Sequence, residues 1–112
     1  MDNCLFCSIA AGEKGTLRYQ DDAVVAFDDI APKAPVHILI VPKKHIESVA
    51  TLADGDEQLV GHMVRIAKQL AEERKIADDG YRLVLNTRKH GGQVVDHIHL
   101  HLLGGQPLGH MV

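Results

Sequence analysis

Histidine stands at positions 97, 99 and 101, each followed by a branched apolar residue, in His97-Ile98-His99-Leu100-His101-Leu102-Leu103. Strict alternation of this kind is the period-2 pattern of a β-strand with one face in a core. Imidazole, with an ordinary pKa near 6.5, is mostly neutral yet readily protonated at physiological pH. A row of such rings can attack an electrophile, pass a proton or bind a metal ion. In a strand, His97 and His101 are about 13 Å apart at Cα, from a rise of about 3.3 Å per residue. Zinc–nitrogen bonds are only about 2.0–2.1 Å. Two of the three rings can therefore share one ion, but not all three, and the histidines must differ in role. A merely solvated strand face would mix in Lys, Glu or Thr, and none interrupts this row.

The row needs a scaffold. Ile98, Leu100 and Leu102 require an apolar cover, and from Asp54 to Asp79 the apolar period changes to 3.6, with Leu59, Met63, Ile66, Ala67 and Leu70 on one stripe. Asp54 and Glu57 resemble a capping box, Arg74 and Lys75 suit the negative C-terminal end, and Gly80 stops the helix. His62 falls off the stripe and is expected on the solvated surface. Val36 to Val41 is an apolar run that predicts a central strand ending at Pro42, with His37 the odd polar residue in it. Arg18 to Phe27 predicts a β-hairpin turning at Asp21-Asp22, and Tyr81 to Thr87 predicts another strand. The loop from Arg88 to Gln93 carries Gly91-Gly92, where backbone N–H groups could approach a phosphate closely. Residues 3–11 predict a short helix, with Asn3 as N-cap, Gly12 as stop, and Leu5, Phe6 and Ile9 as its apolar face. The expected fold is α+β: a single domain over residues 1–112, with about five antiparallel strands, one long helix and one short one.

Composition narrows the class. The chain has 112 residues, 46% hydrophobic and 24% charged, with a net charge of −3. Scattered Lys and Arg leave no footprint for nucleic acid, and no apolar run approaches a membrane span. The first residues lack the basic and apolar segments of a signal peptide, so a cytoplasmic protein is expected. Cys4 and Cys7 are the only cysteines, which excludes a disulfide framework. On a short helix, this Cys-x-x-Cys pair suits redox chemistry, a structural metal, or two small buried residues.

The row His97 to Leu103 resembles, at every position, the signature of the histidine triad superfamily. The resemblance extends over Asn86, Gly91-Gly92-Gln93 and Gly104-Gly105, and upstream over Phe27 to His37 and Pro42-Lys43-Lys44-His45. It points to the Hint branch, the nucleoside phosphoramidases. What it implies is a homodimer whose sheets join, with Phe6, Ile9, Phe27 and Ile30 holding a purine base and Asp29 binding the ribose hydroxyls. A carboxylate is a good bidentate acceptor for a cis-diol. Asn86, Gly92 and Gln93 would position the phosphate. His99 would be the nucleophile, forming a nucleotidyl-histidine, while His101 would hold the phosphate oxygens and help protonate the leaving amine. His37 would orient the ring or the phosphate beside it. Val94 departs from relatives with a hydroxyl residue there, which bears on leaving-group preference. In some relatives a similar cysteine pair holds structural zinc with two histidines, which correspond here to His45 and His97 beside Cys4 and Cys7. The chemistry itself requires no cofactor.

The activity expected on this basis is hydrolysis of nucleoside 5′-phosphoramidates. Two alternatives stand beside it: dinucleoside polyphosphate hydrolysis or nucleotidyl transfer in the same superfamily, and a non-catalytic nucleotide-binding or zinc-dependent interaction module. A pure binder has no need of a nucleophile, which favours the enzyme.

Overall fold

A helix shorter than two turns opens the described chain, which in this computed structural model spans residues 4–111. This helix, α1 (Leu5–Ala10), has Cys4 as its N-cap, with the Sγ accepting the Cys7 N–H at 3.2 Å. Asn3, the expected cap, lies outside the described residues. Gly12 ends α1 as expected, with φ at +80° and its N–H donating to the Ile9 carbonyl.

Five strands follow: β1 (Leu17–Gln20), β2 (Val24–Asp28), β3 (Val36–Pro42), β4 (Tyr81–Val84) and β5 (Leu100–Gly104). They form one antiparallel sheet in the order β1-β2-β3-β5-β4. The long helix α2 (Glu57–Glu73) packs across one face. There Val24, Ala26, Val36, Ile38, Ile40, Leu100 and Leu102 meet Met63, Ile66, Ala67, Leu70 and Ala71. Complete burial of a Leu or Ile side chain contributes about 1.5–3 kcal/mol, so this layer dominates stability. The opposite face carries Val25, Phe27, Leu39 and Val41, covered by Phe6 and Ala10 of α1. β3 is thus buried on both sides, as its apolar run predicts, and His37 within it is buried too.

Three expectations need correction. The helix expected over residues 54–79 is a 3₁₀ turn (Asp54–Asp56) followed by α2, which stops at Glu73. Lys75 takes a left-handed conformation with φ at +62°, its N–H bonds the Glu72 carbonyl, and the Ile76 N–H reaches back to Ala71. That is a Schellman end, and Ile76 drops into the α2 core just after it. Burial of Ile76 thus ends the helix six residues early. The expected Asp54–Glu57 capping box is replaced by Asp56, a buried carboxylate that accepts from Ala53 N–H and Lys44 Nζ. His62 is not merely solvated: its Nε2 lies 2.6 Å from Asp21 Oδ2, tying α2 to the β1–β2 turn.

The strand ends also shift. β4 leaves the ladder at Val84, three residues before Thr87. The histidine row was expected as a strand from 97, but β5 begins only at Leu100. His97 and His99 are nearly inaccessible, because α1 closes over the sheet face that alternation alone marks as wet.

Candidate active site

His97, Ile98 and His99 approach β5 without joining its ladder, so contacts other than sheet pairing set their side chains. The Ile98 N–H is pinned to the Ile46 carbonyl at 2.7 Å. His97 Nε2 donates to the Pro42 carbonyl at 2.8 Å, leaving the lone pair on Nδ1. His99 Nδ1 donates to the His97 carbonyl at 2.8 Å, leaving its lone pair on Nε2. A carbonyl can only accept, so each bond decides a tautomer. In its unprotonated form His99 therefore presents its lone pair on Nε2, the nitrogen free to act as a nucleophile.

The second pair follows the same logic. The Lys33 N–H donates to His37 Nδ1 at 3.0 Å, which puts the His37 proton on Nε2. That proton faces His101 Nδ1 at 2.9 Å, so His101 must carry its own proton on Nε2. His101 Nε2 is buried and finds no partner among the described residues. An unpaired buried N–H is costly unless something anionic or polar comes to meet it. Burial, and then the nearby His99 and His37, push the His101 pKa down to about 4, so its ring stays neutral at pH 7. Burial also lowers the His37 pKa, against the pull of the Asp29 carboxylate. The ring centroids of His99 and His101 lie 4.9 Å apart, placing a nucleophilic nitrogen beside a free donor.

Phe6 stands edge-on to His99 at 5.1 Å and to Phe27 at 5.4 Å between centroids. Ile9 packs against the same cluster. Ile30 does not join them: it is 97% exposed in the turn after β2. Asp29 Oδ1 accepts the Ala31 N–H, and Oδ2 lies 3.5 Å from His37 Nε2, so the carboxylate borders the histidine pair. Asn86 is half-buried just beyond β4.

Gln93 is engaged by the main chain at both ends of its amide. Oε1 accepts the Arg88 N–H, and Nε2 donates to the Glu47 and Val95 carbonyls. It holds the Arg88–Gln93 loop in shape, so any influence on phosphate runs through that loop. Gly91 is needed there for space, since a Cβ would run into the Thr87 backbone. Gly92 beside it has φ at +80°. Val94, which follows Gln93, is 87% exposed.

Cys4, Cys7, His45 and His97 converge, their donor atoms all within 4.8 Å of one another. His97 Nδ1 lies 3.3 Å from Cys4 Sγ and 3.4 Å from Cys7 Sγ, and His45 Nδ1 lies 3.2 Å from Cys7 Sγ. Tetrahedral zinc with bonds of about 2.3 Å to sulfur and about 2.0–2.1 Å to nitrogen needs S···N edges of about 3.6 Å. The set fits. The Pro42 carbonyl on His97 Nε2 also supplies the outer hydrogen bond that metal-binding histidines use. Burial and the neighbouring Cys4 push the free Cys7 thiol up to about 11, so a cation would have to displace its proton. Asp29, His37 and His101 also lie within 4.8 Å of one another. They do not suit a metal, because an ion on His37 Nε2 would force that ring to drop the Lys33 N–H or become an imidazolate.

Sequence reasoning missed three participants in this arrangement. The Lys33 N–H and the Pro42 and His97 carbonyls are main-chain groups, invisible to residue type. A cavity of 790 Å³ elsewhere, lined by Lys75, Tyr81, Arg82 and Gly105 among others, includes none of these histidines.

The HIT domain family matches residues 12–108, and the chain belongs to that family. It is 55% identical over 94 residues to the purine nucleoside phosphoramidase of Escherichia coli K12, covering 84% of this chain and 79% of that protein. The crystal structure of a HIT family hydrolase from Legionella pneumophila is 48% identical with a TM-score of 0.91, covering 96% of this chain and 100% of that one. A zinc-bound histidine triad family protein from Mycobacterium smegmatis is 28% identical with a TM-score of 0.82, covering 94% of this chain and 76% of that one.

Proposed function

We propose that this protein hydrolyses purine nucleoside 5′-phosphoramidates to the nucleoside monophosphate and the free amine. The observation that carries this reading is the pairing of His99, fixed with its Nε2 lone pair free, with the unmet Nε2–H of His101. His99 Nε2 attacks the α-phosphorus, the phosphorus–nitrogen bond breaks, and the nucleotide is held on the ring until water releases it. Dividing one displacement into two is the gain of covalent catalysis. His101 Nε2–H bonds a non-bridging phosphate oxygen and stabilises the charge that develops on it. A neutral ring cannot surrender its only N–H proton, which alters the acid role expected from the sequence. Once the substrate phosphate lies against His101, that anion raises the ring's pKa, and a solvent proton carried there can pass to the leaving amine.

Phe6, Ile9 and Phe27 supply the apolar wall for the base, with Ile30 at its rim, and Asp29 receives the ribose hydroxyls. Asn86, Gly92 and the loop shaped by Gln93 border the phosphate. Cys4, Cys7, His45 and His97 hold a structural zinc, a closed set with no open position for catalysis. β4 is an edge strand, half-buried along its length, and offers the edge on which a second copy would extend the sheet into a homodimer. Neither nucleic acid nor a membrane enters this reading, and no helix among the described residues is long and apolar enough to cross a membrane.

Turnover of adenosine 5′-phosphoramidate compared with a diadenosine polyphosphate, followed by phosphorus NMR, tests the assignment. Faster cleavage of the phosphoramidate supports it. A preference for the polyphosphate would move the protein to the neighbouring branch, and no turnover of either would leave a binding module.

A further inference from the structure

The nucleophile belongs to the one part of the histidine row that the sheet does not hold. β5 begins at Leu100, so His99 takes its orientation from the His97 carbonyl, bonded to Nδ1 at 2.8 Å, and from the Phe6 ring 5.1 Å away. His97 is held in turn by its side chain: Nε2 on the Pro42 carbonyl, Nδ1 against both cysteines. Phe6 lies between Cys4 and Cys7 in sequence, so the same two sulfurs anchor the helix that carries it. Besides the Ile98 N–H on the Ile46 carbonyl and the neighbouring His101 ring, the restraints on His99 run back, through one or two residues, to the Cys4, Cys7, His45 and His97 cluster. A cluster placed only to stabilise the fold could tie α1 anywhere on the sheet. This one grips the residue whose carbonyl decides which His99 nitrogen carries the lone pair.

We infer that Cys4, Cys7 and His45 are positioning residues for the reaction, acting through the His97 main chain to hold His99 in the Nδ1–H tautomer with Nε2 aimed at phosphorus. The inference rests on the hydrolytic reading above, and it is strengthened but not replaced by zinc at the cluster. Any state that loosens the cluster should release the His97 carbonyl, let the imidazole rotate or change tautomer, and slow formation of the nucleotidyl-histidine.

The test uses the full chain with ¹⁵N-labelled histidine, in the purified wild type, in Cys4→Ser, and in wild type stripped by a chelator. Three quantities are read: bound zinc, the ¹⁵N shifts of the His99 ring, and the rate of nucleotidyl-histidine formation from adenosine 5′-phosphoramidate in a single turnover. In the intact protein His99 should show one tautomer, protonated at Nδ1. In the folded variant its two nitrogens should move towards averaged shifts, and the single-turnover rate should fall at least tenfold. If Cys4→Ser does not fold, His45→Gln is read by the same criteria. A folded variant with an unchanged His99 tautomer and an unchanged rate overturns the inference. Wild type without zinc, whose His99 still changes on Cys4→Ser, would remove the metal and keep the positioning role. Absence of any turnover in the intact protein, with the tautomer still coupled to Cys4, would count against the hydrolytic reading alone.

Discussion

His37 Nε2 and His101 Nδ1 lie 2.9 Å apart, and their hydrogen bond runs in one direction because the Lys33 N–H already occupies the other nitrogen of His37. A backbone amide thus decides, through the His37 ring, that His101 presents a free N–H donor. His99, oriented by a carbonyl instead, presents an acceptor. Two neighbouring imidazoles of one row are thus left with opposite free atoms, His99 by a main-chain carbonyl and His101 by a main-chain amide acting through His37.

Replacing His99 with Ala or Gly should reduce turnover on the order of 10³-fold or more, the scale for removing a covalent nucleophile. Nucleotide affinity should be largely retained. The ring is buried beneath Phe6, so some stability is lost with it. Steady-state kinetics and equilibrium nucleotide binding check both points. Substantial activity in His99→Ala, with His101→Ala far more damaged, would reverse the assignment of roles.

Asp29→Asn keeps an oxygen for the Ala31 N–H while removing the charge beside His37. Affinity for a ribonucleotide should fall by roughly 1–3 kcal/mol, the range for hydrogen bonds to a charged acceptor. Calorimetry with a 2′,3′-dideoxy analogue should show a much smaller change. Equal losses for the two ligands would exclude contact with the diol.

Stability should decline in mild acid. His101 is held at about 4 in the folded protein against 6.5 when free, and the His37 pKa is lowered as well. Below the free value the unfolded chain binds protons that the folded chain refuses, so this contribution is complete above about 6.5 and lost progressively down to about 4. His101 by itself should cost about 2 kcal/mol between about pH 7 and about pH 5. Urea midpoints at the two pH values measure it, and His101→Asn should flatten the difference. A protein as stable at the lower pH would contradict the buried, neutral ring.

Elemental analysis of purified protein should find about one zinc per chain, with a chelator lowering the unfolding temperature because bound metal contributes folding free energy. Two thiols that titrate freely in the untreated protein, with no metal present, would dismiss the site.

Lys75→Gly should stabilise the protein by about 0.5–1 kcal/mol without altering kinetics, since glycine adopts the left-handed end of α2 without the Cβ penalty. A denaturant melt decides the sign. Destabilisation would mean that the Lys75 side chain contributes more than its backbone strain costs.

Much of this architecture is legible in the sequence because it depends on periodicity. The apolar run of Val36–Val41, the alternation of Ile98, Leu100 and Leu102, and the 3.6 stripe of Met63, Ile66, Ala67 and Leu70 already mark the strands and the helix face that meet in the α2 layer. Residue type and spacing likewise mark the three histidines as chemical, and strand geometry alone shows that they cannot share one ion. Their individual roles required the tertiary structure. Each ring's tautomer is set by its hydrogen-bond partner, the Pro42 carbonyl for His97, the His97 carbonyl for His99 and the His37 ring for His101, and a hydrogen-bond direction leaves no trace in residue type. Burial of His97 and His99 depends on α1 folding back over the sheet, and the end of α2 depends on Ile76 reaching the core. Local pattern determines which face a residue takes; only the folded chain decides what stands opposite that face, and for a histidine that partner decides whether the ring gives a proton or a lone pair.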